Sequence, residues 1–334
     1  MYPEARWRYR SVVRLLVGLL SFLPLAPAHM GSGDSVQPRN TQSVITSVTP
    51  AVPDGVKIEI VGSDTFVRLT AVGVRAEVHG YDDEPYLRIG AEGLVESNDA
   101  SVTAVLIGDR YGNVDTTQMK PNALPRWRTI ATNGIAMWHD HRSHWMTPKP
   151  PATIDNKGTV LDWKIPMIIA GRPTLVSGTL YLRDQASVAW WLLGLPAVVI
   201  AVVLSMFRRR GFFAAVFIAS LMGIVAGFME YDGLPDGARI TPLMLMFSIG
   251  AAAIALASMI RLIRPGAMHI AISLNAGAGA ALVVCAWLTA NQVRAAYIPG
   301  IEPMWIARIA IPVMMGVGIV AVIDGVTRIV RTAP

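Results

Sequence analysis

The densest run of side chains able to bind or react is Met137-Trp138-His139-Asp140-His141-Arg142-Ser143-His144-Trp145-Met146, which holds three of the chain's six histidines. On an extended strand alternate side chains share a face, so Met137, His139 and His141 are expected to point one way and Trp138, Asp140 and Arg142 the other. Two imidazoles at that spacing can reach one ion, and His144 joins them if the strand ends in a turn before Pro148. Imidazole nitrogen beside thioether sulfur suits copper, with the sulfurs of Met137 and Met146 favouring Cu(I) and the nitrogens tolerating Cu(II). Three histidines alone would also serve zinc. The competing reading is an aromatic core strand with packing histidines and with Asp140 and Arg142 as surface charges; on the metal reading the same two residues would supply hydrogen bonds that orient neighbouring rings.

A sixth candidate ligand lies near the start of the chain. Arg6, Arg8, Arg10 and Arg14 precede a short apolar stretch, Leu15 to Leu25, closed by Ala26-Pro27-Ala28. The run is shorter than the ~20 residues of a spanning helix, so residues 1–28 read as a secretory signal peptide, with an uncleaved anchor as the alternative. Cleavage after Ala28 would make His29 the amino terminus, and a terminal histidine offers both its amine and its ring to one ion. With His139 and His141 this resembles two families: the CopC-like exported copper carriers, small β-sandwiches whose mature chain begins with His, and the B subunit of particulate methane monooxygenase, which pairs a mature terminal His with a His-x-His. The resemblance covers only these motifs and the plan of a β-domain with a membrane part, and it departs in helix number. It implies a T-shaped copper site, a histidine brace, on His29, His139 and His141. The segment Trp138 to Met146 is also similar to one in a group of actinobacterial membrane proteins, a likeness that supplies no activity to carry over.

The elements that would position these residues follow from hydropathy. From Val56 to about Leu182 the pattern is period two, in short runs broken by Gly, Pro, Asn and Asp: 56–60, 66–70, 74–78, 102–107, 129–138, 164–169 and 174–182. Such a series predicts an antiparallel β-sandwich over 56–186, preceded by a flexible exported tether over 29–55. Within 187–334 five apolar segments, 189–207, 212–229, 241–260, 267–290 and 303–323, each approach the length that crosses a bilayer. The expected fold class is therefore an exported all-β sandwich-like domain followed by a membrane domain of five transmembrane helices.

Charge gives the sidedness. Arg208, Arg209, Arg210, Arg261, Arg264, Arg328 and Arg331 follow the first, third and fifth segments, which predicts a multi-pass protein of the cytoplasmic membrane with a cytosolic C-terminus and the β-domain outside. The net charge of +6 does not point to nucleic acid, because residues 29–186 carry fifteen Lys/Arg against seventeen Asp/Glu and the excess lies beside apolar segments. One cysteine, Cys285, forbids an internal disulfide and reads as inert. Arg308 is the charge placed within a span, where its long stem can reach the interface, and Glu230 is assigned to an outer loop. Acids around His79 to Arg88 read as a solvated loop.

These readings favour a copper-handling membrane protein whose exported domain captures the ion for delivery or import. Its expected partners are the lipid bilayer and other membrane or copper-trafficking proteins. The alternative is a non-catalytic, membrane-anchored subunit for envelope assembly, and a copper-dependent oxidase or monooxygenase subunit is the minority reading.

Overall fold

The computed structural model of the chain describes residues 36, 38–108, 123–147, 149–153, 155–235, 238–239 and 241–331. Residues 1–28, expected to be a signal peptide, and His29 therefore lie outside the described residues. Two units are distinct: His29–Asp184 with Leu234–Arg239, and Gln185–Gly233 with Ile240–Pro334.

The first unit is an antiparallel sandwich. Its larger sheet has seven strands in the order β1-β10-β9-β4-β5-β6-β7, with β1 Thr41–Thr49, β4 Ala76–His79, β5 Pro85–Ile89, β6 Val95–Asn98, β7 Trp127–Ala131, β9 Thr159–Ile169 and β10 Arg172–Leu182. The smaller sheet has three, ordered β2-β3-β8: β2 Val56–Val61, β3 Phe66–Ala71 and β8 Ile135–Trp138. Alternation decides which face is buried. Trp163, Ile165, Met167 and Ile169 of β9 and Val67, Leu69 and Ala71 of β3 turn into a common core, where Ala136 and Trp138 of β8 join them. Trp163 takes the space opposite Gly178, where an added Cβ would lie 2.1 Å from its Cζ2.

Three expectations fail for identifiable reasons. The tether expected over 29–55 contains β1, whose polar sequence hides a strand paired with β10 more than a hundred residues later. Residues 102–107, β-branched and read as a strand, form the short helix α1, Val102–Gly108. The Ser101 hydroxyl accepts from Ala104 N and the Glu84 carboxylate from Thr103 N, so local capping overrides the strand preference. The run 129–138 is two strands, because Gly134 at φ +69° turns the chain between β7 and β8.

The second unit is helical. A 3-10 turn, Val188–Leu193, leads into α2 Gly194–Phe207, followed by α3 Arg209–Asp232, α4 Leu243–Ile263, α5 Met268–Leu288, a 3-10 turn Ala290–Val293 and α6 Trp305–Arg331. Among the described residues, five helical spans are long and apolar enough to cross a membrane. Small residues set the packing: an added Cβ at Gly227 would lie 2.3 Å from Leu245 N, and one at Gly279 2.6 Å from Ala321 Cβ. Glu230, expected in a loop, lies in the last turn of α3 and is buried, because that helix runs to Asp232. The chain is a multi-pass membrane protein by this composition, with a β-sandwich unit ahead of the helices.

Candidate metal centre

The histidine cluster sits where β8 stops. Strand pairing ends at Trp138, which lies opposite Val67, and the chain then turns instead of continuing. Asp140 makes the turn: its Oδ1 accepts from Arg142 N at 3.0 Å, and its carbonyl accepts from Ser143 N at 3.1 Å. The expected shared strand face for Met137, His139 and His141 therefore does not form. Met137 stays on the outer face of the small sheet opposite Arg68, and Met146 is half exposed beyond the turn.

The turn nonetheless gathers all three rings. The His139 ring centre is 5.2 Å from that of His141 and 4.3 Å from that of His144, with interplanar angles of 71° and 66°. His139 and His144 are buried, and Phe66 meets His139 edge-on at 6.2 Å. With metal–nitrogen distances of about 2.0–2.1 Å, two imidazoles sharing an ion have centres roughly 4–6 Å apart, which brackets both separations. Among the described residues no three His, Cys, Asp or Glu side chains already converge as a closed ion site. The arrangement is instead two ring pairs that share His139.

Neighbouring groups fix how these rings can act. His139 Nδ1 lies 2.7 Å from the carbonyl oxygen of Thr65, which can only accept, so Nδ1 carries the proton and Nε2 of the neutral ring keeps its lone pair. His144 Nδ1 is 2.9 Å from Arg39 Nη1 and 3.2 Å from the carbonyl oxygen of Asp64. Arg39 can only donate and the Asp64 carbonyl can only accept, so the tautomer of His144 decides which contact Nδ1 makes: as an acceptor it takes the Arg39 N–H, and as a donor it bonds Asp64. Arg39 also pairs with the buried Asp64 carboxylate. Burial raises the Asp64 carboxyl, but the His144 hydrogen bond and the Arg39 charge outweigh it and hold the group below its ordinary range.

His141 is held from the other side. Its backbone N–H donates to the Tyr81 hydroxyl at 3.0 Å, and its ring stacks on Tyr81 at 5.8 Å and 27°. Arg142 lies over the same tyrosine ring, 5.0 Å from its centre. Burial first, then the Asp140 charge, push the Tyr81 phenol upward, so it stays protonated as a donor-acceptor.

Asp140 and Arg142 are not surface charges. Asp140 is fully buried and accepts from Trp138 Nε1 at 2.9 Å, Arg142 Nε at 2.9 Å and Arg142 Nη2 at 2.8 Å. Arg142 extends the anchor to the carbonyls of His79 and Gly80. The pair fixes the loop, and the loop carries the rings. Of the acids near His79, read as a solvated loop, Asp83 pairs with His79, while Glu84 is buried and caps α1 by accepting from Ser101 and Thr103.

Arg39, Asp64, Thr65 and Tyr81 escaped sequence reasoning because each acts through a backbone atom or a distant strand. One signal was present. Gly62-Ser63-Asp64 reads as a tight turn, and Gly62 and Ser63 both take left-handed φ, +71° and +70°. An added Cβ at Gly62 would lie 2.8 Å from Val36 Cγ1, and Val36 is fully buried there. Val36, ahead of β1, thus docks on the turn whose Asp64 and Thr65 contact His144 and His139.

Comparison with protein-family models, with curated proteins and with solved structures finds no match to this chain.

Proposed function

We propose that this protein captures copper on the exported side of the cytoplasmic membrane, for delivery or import, through the imidazoles of His139, His141 and His144. One observation supports the reading: the rings of His141 and His144 each lie within ion-sharing distance of His139, whose tautomer is set by Thr65 to present Nε2. Nitrogen donors of this kind suit Cu(II), with zinc as the competing ion. The sulfurs of Met137 and Met146 are candidates for Cu(I) only if the loop rearranges, since Met137 faces away with Arg68.

His29 completes the proposed set. Val36 and Arg39 pin the chain beside the cluster, and the seven residues from Val36 back to His29 span at most about 25 Å when extended, so a mature amino terminus can reach the rings. Its amine and ring would add the two nitrogens that a pair of imidazoles lacks. The bound ion would supply redox or Lewis-acid chemistry; the chain's own residues bind and orient it, with Thr65, Tyr81 and the Asp64–Arg39 pair holding the rings in place.

Equilibrium dialysis of the full chain, purified with its processed terminus, tests this. We expect one Cu(II) per chain and a loss of at least about tenfold in affinity in each of His139→Ala and His141→Ala. Uptake unchanged by both substitutions together would assign the rings to packing and leave a membrane-anchored assembly subunit as the reading.

A further inference from the structure

A second ionisable site lies in the helical unit, apart from the histidines. Glu230, one turn from the end of α3, is 4% exposed, and its one hydrogen-bond partner among the described residues is Gln292, whose Nε2 donates to Oε1 at 2.7 Å. Gln292 is 3% exposed, and its own Oε1 is buried with no hydrogen-bond partner. Among the described residues no cation pairs with the carboxyl. From α6, the Arg308 guanidinium donates to the carbonyls of Ala295 and Ala296. From α5, Cys285 bonds the Met244 carbonyl and Ser248. Arg294, Asp232 and Glu302 are exposed.

An ionised carboxylate buried without a cation is expensive, and in a membrane bundle the penalty is greater. It also has no donor to give the empty oxygen of Gln292. A carboxylic acid removes both difficulties: it carries no charge, and its O–H is the donor that amide oxygen lacks. Acid and amide then close a ring of two hydrogen bonds, N–H to carboxyl oxygen and O–H to amide oxygen, one of which is already in place.

A cavity lies beside the turn that carries Glu230. Met229 and Asp232, next to Glu230 in sequence, line a cavity of about 410 Å³ together with Gly233, Gly300, Ile301 and Glu302. Gly300 packs so closely on the Glu230 backbone that an added Cβ would lie 2.5 Å from its carbonyl oxygen, which leaves only the thin Gly300 wall between that turn and the loop.

We propose that Glu230 and Gln292 form a proton-binding site in the membrane unit, a neutral carboxylic acid closed on the amide, which exchanges its proton with water through this cavity. On release the O–H bond breaks, the electron pair stays on the carboxylate, the proton passes to water, and Gln292 keeps its N–H bond to the anion. The site is independent of copper capture.

Infrared spectroscopy of the full chain in lipid nanodiscs at pH 7 tests it. We expect a protonated-carboxyl C=O band that E230Q removes, that shifts to higher frequency in Gln292→Leu, and that moves after transfer to D2O. Should E230Q fold poorly, uniform 13C-glutamate labelling of the wild type assigns the band, because Glu59 and Glu84 are held below their ordinary range and Glu302 is exposed. No glutamate-dependent band at pH 7 would mean an ionised Glu230 and overturn the proposal. A band unmoved by Gln292→Leu would overturn the pairing, and one unmoved by D2O would overturn the exchange route.

Discussion

Replacing Asp140 with alanine should collapse the histidine loop, and its size can be worked from the contacts. The substitution strands the Arg142 guanidinium, which is only 20% exposed, and leaves Trp138 Nε1 without its acceptor. Removing one partner of a buried ion pair costs about 3–5 kcal/mol, and an orphaned buried donor about 1–3 kcal/mol. Because the neighbours relax together, the two are not fully additive, and we expect about 4–6 kcal/mol. At about 2–4 °C per kcal/mol for a unit of this size, Tm of the β-sandwich should fall by roughly 10–20 °C. Calorimetry of the full chain in detergent reads this directly. Asp140→Ala with Arg142→Leu removes the stranded charge and should recover at least about 2 kcal/mol relative to the sum of the single changes. A single-variant loss below about 1 kcal/mol, or a strictly additive double variant, would refute the idea that this pair anchors the turn.

Three further outcomes follow from the same packing. Glu84 is buried, which raises its carboxyl, but the Ser101 and Thr103 bonds outweigh this and hold it below its ordinary 4.5; its stabilisation is then complete above that value and drains away as pH falls through the lower folded value, so acid titration of Tm should flatten in Glu84→Gln. Gly178→Ala drives a methyl into Trp163 and the Val44 carbonyl, and should cost about 2–3 kcal/mol, measured by denaturant unfolding. Gly62→Ala combines a left-handed φ with a collision against Val36; it should release the chain ahead of β1 and weaken copper binding through His29 more than it lowers Tm, and equal wild-type affinity would speak against that route.

What the sequence made legible was set by periodicity. Twenty-residue apolar runs and two-residue alternation both repeat often enough to announce five helices and a sandwich, and the helix ends differ mainly where residues 209–211 and 230–232 extend α3 and where 324–331 extend α6. The failures lie where a single local contact decides. Ser101 and Glu84 turn a β-branched run into α1, and β1 is specified by a partner strand far along the chain. The histidines show both sides of this. Their spacing pointed to one shared ion; the rings of His141 and His144 each approach that of His139, through the Asp140 turn rather than a shared strand face, and Met137 is left on the outside. Glu230 was misplaced because a carboxylate at the edge of an apolar segment looks like a loop until its amide partner, sixty-two positions on, is seen.

Pulsed EPR of the Cu(II)-loaded full chain counts the imidazoles on the ion. Modulation from at least two coupled rings in the wild type, with one ring's contribution lost in His139→Ala, is the predicted result. Spectra that His139→Ala leaves unchanged, or protein that emerges from dialysis without copper, would contradict capture by this turn.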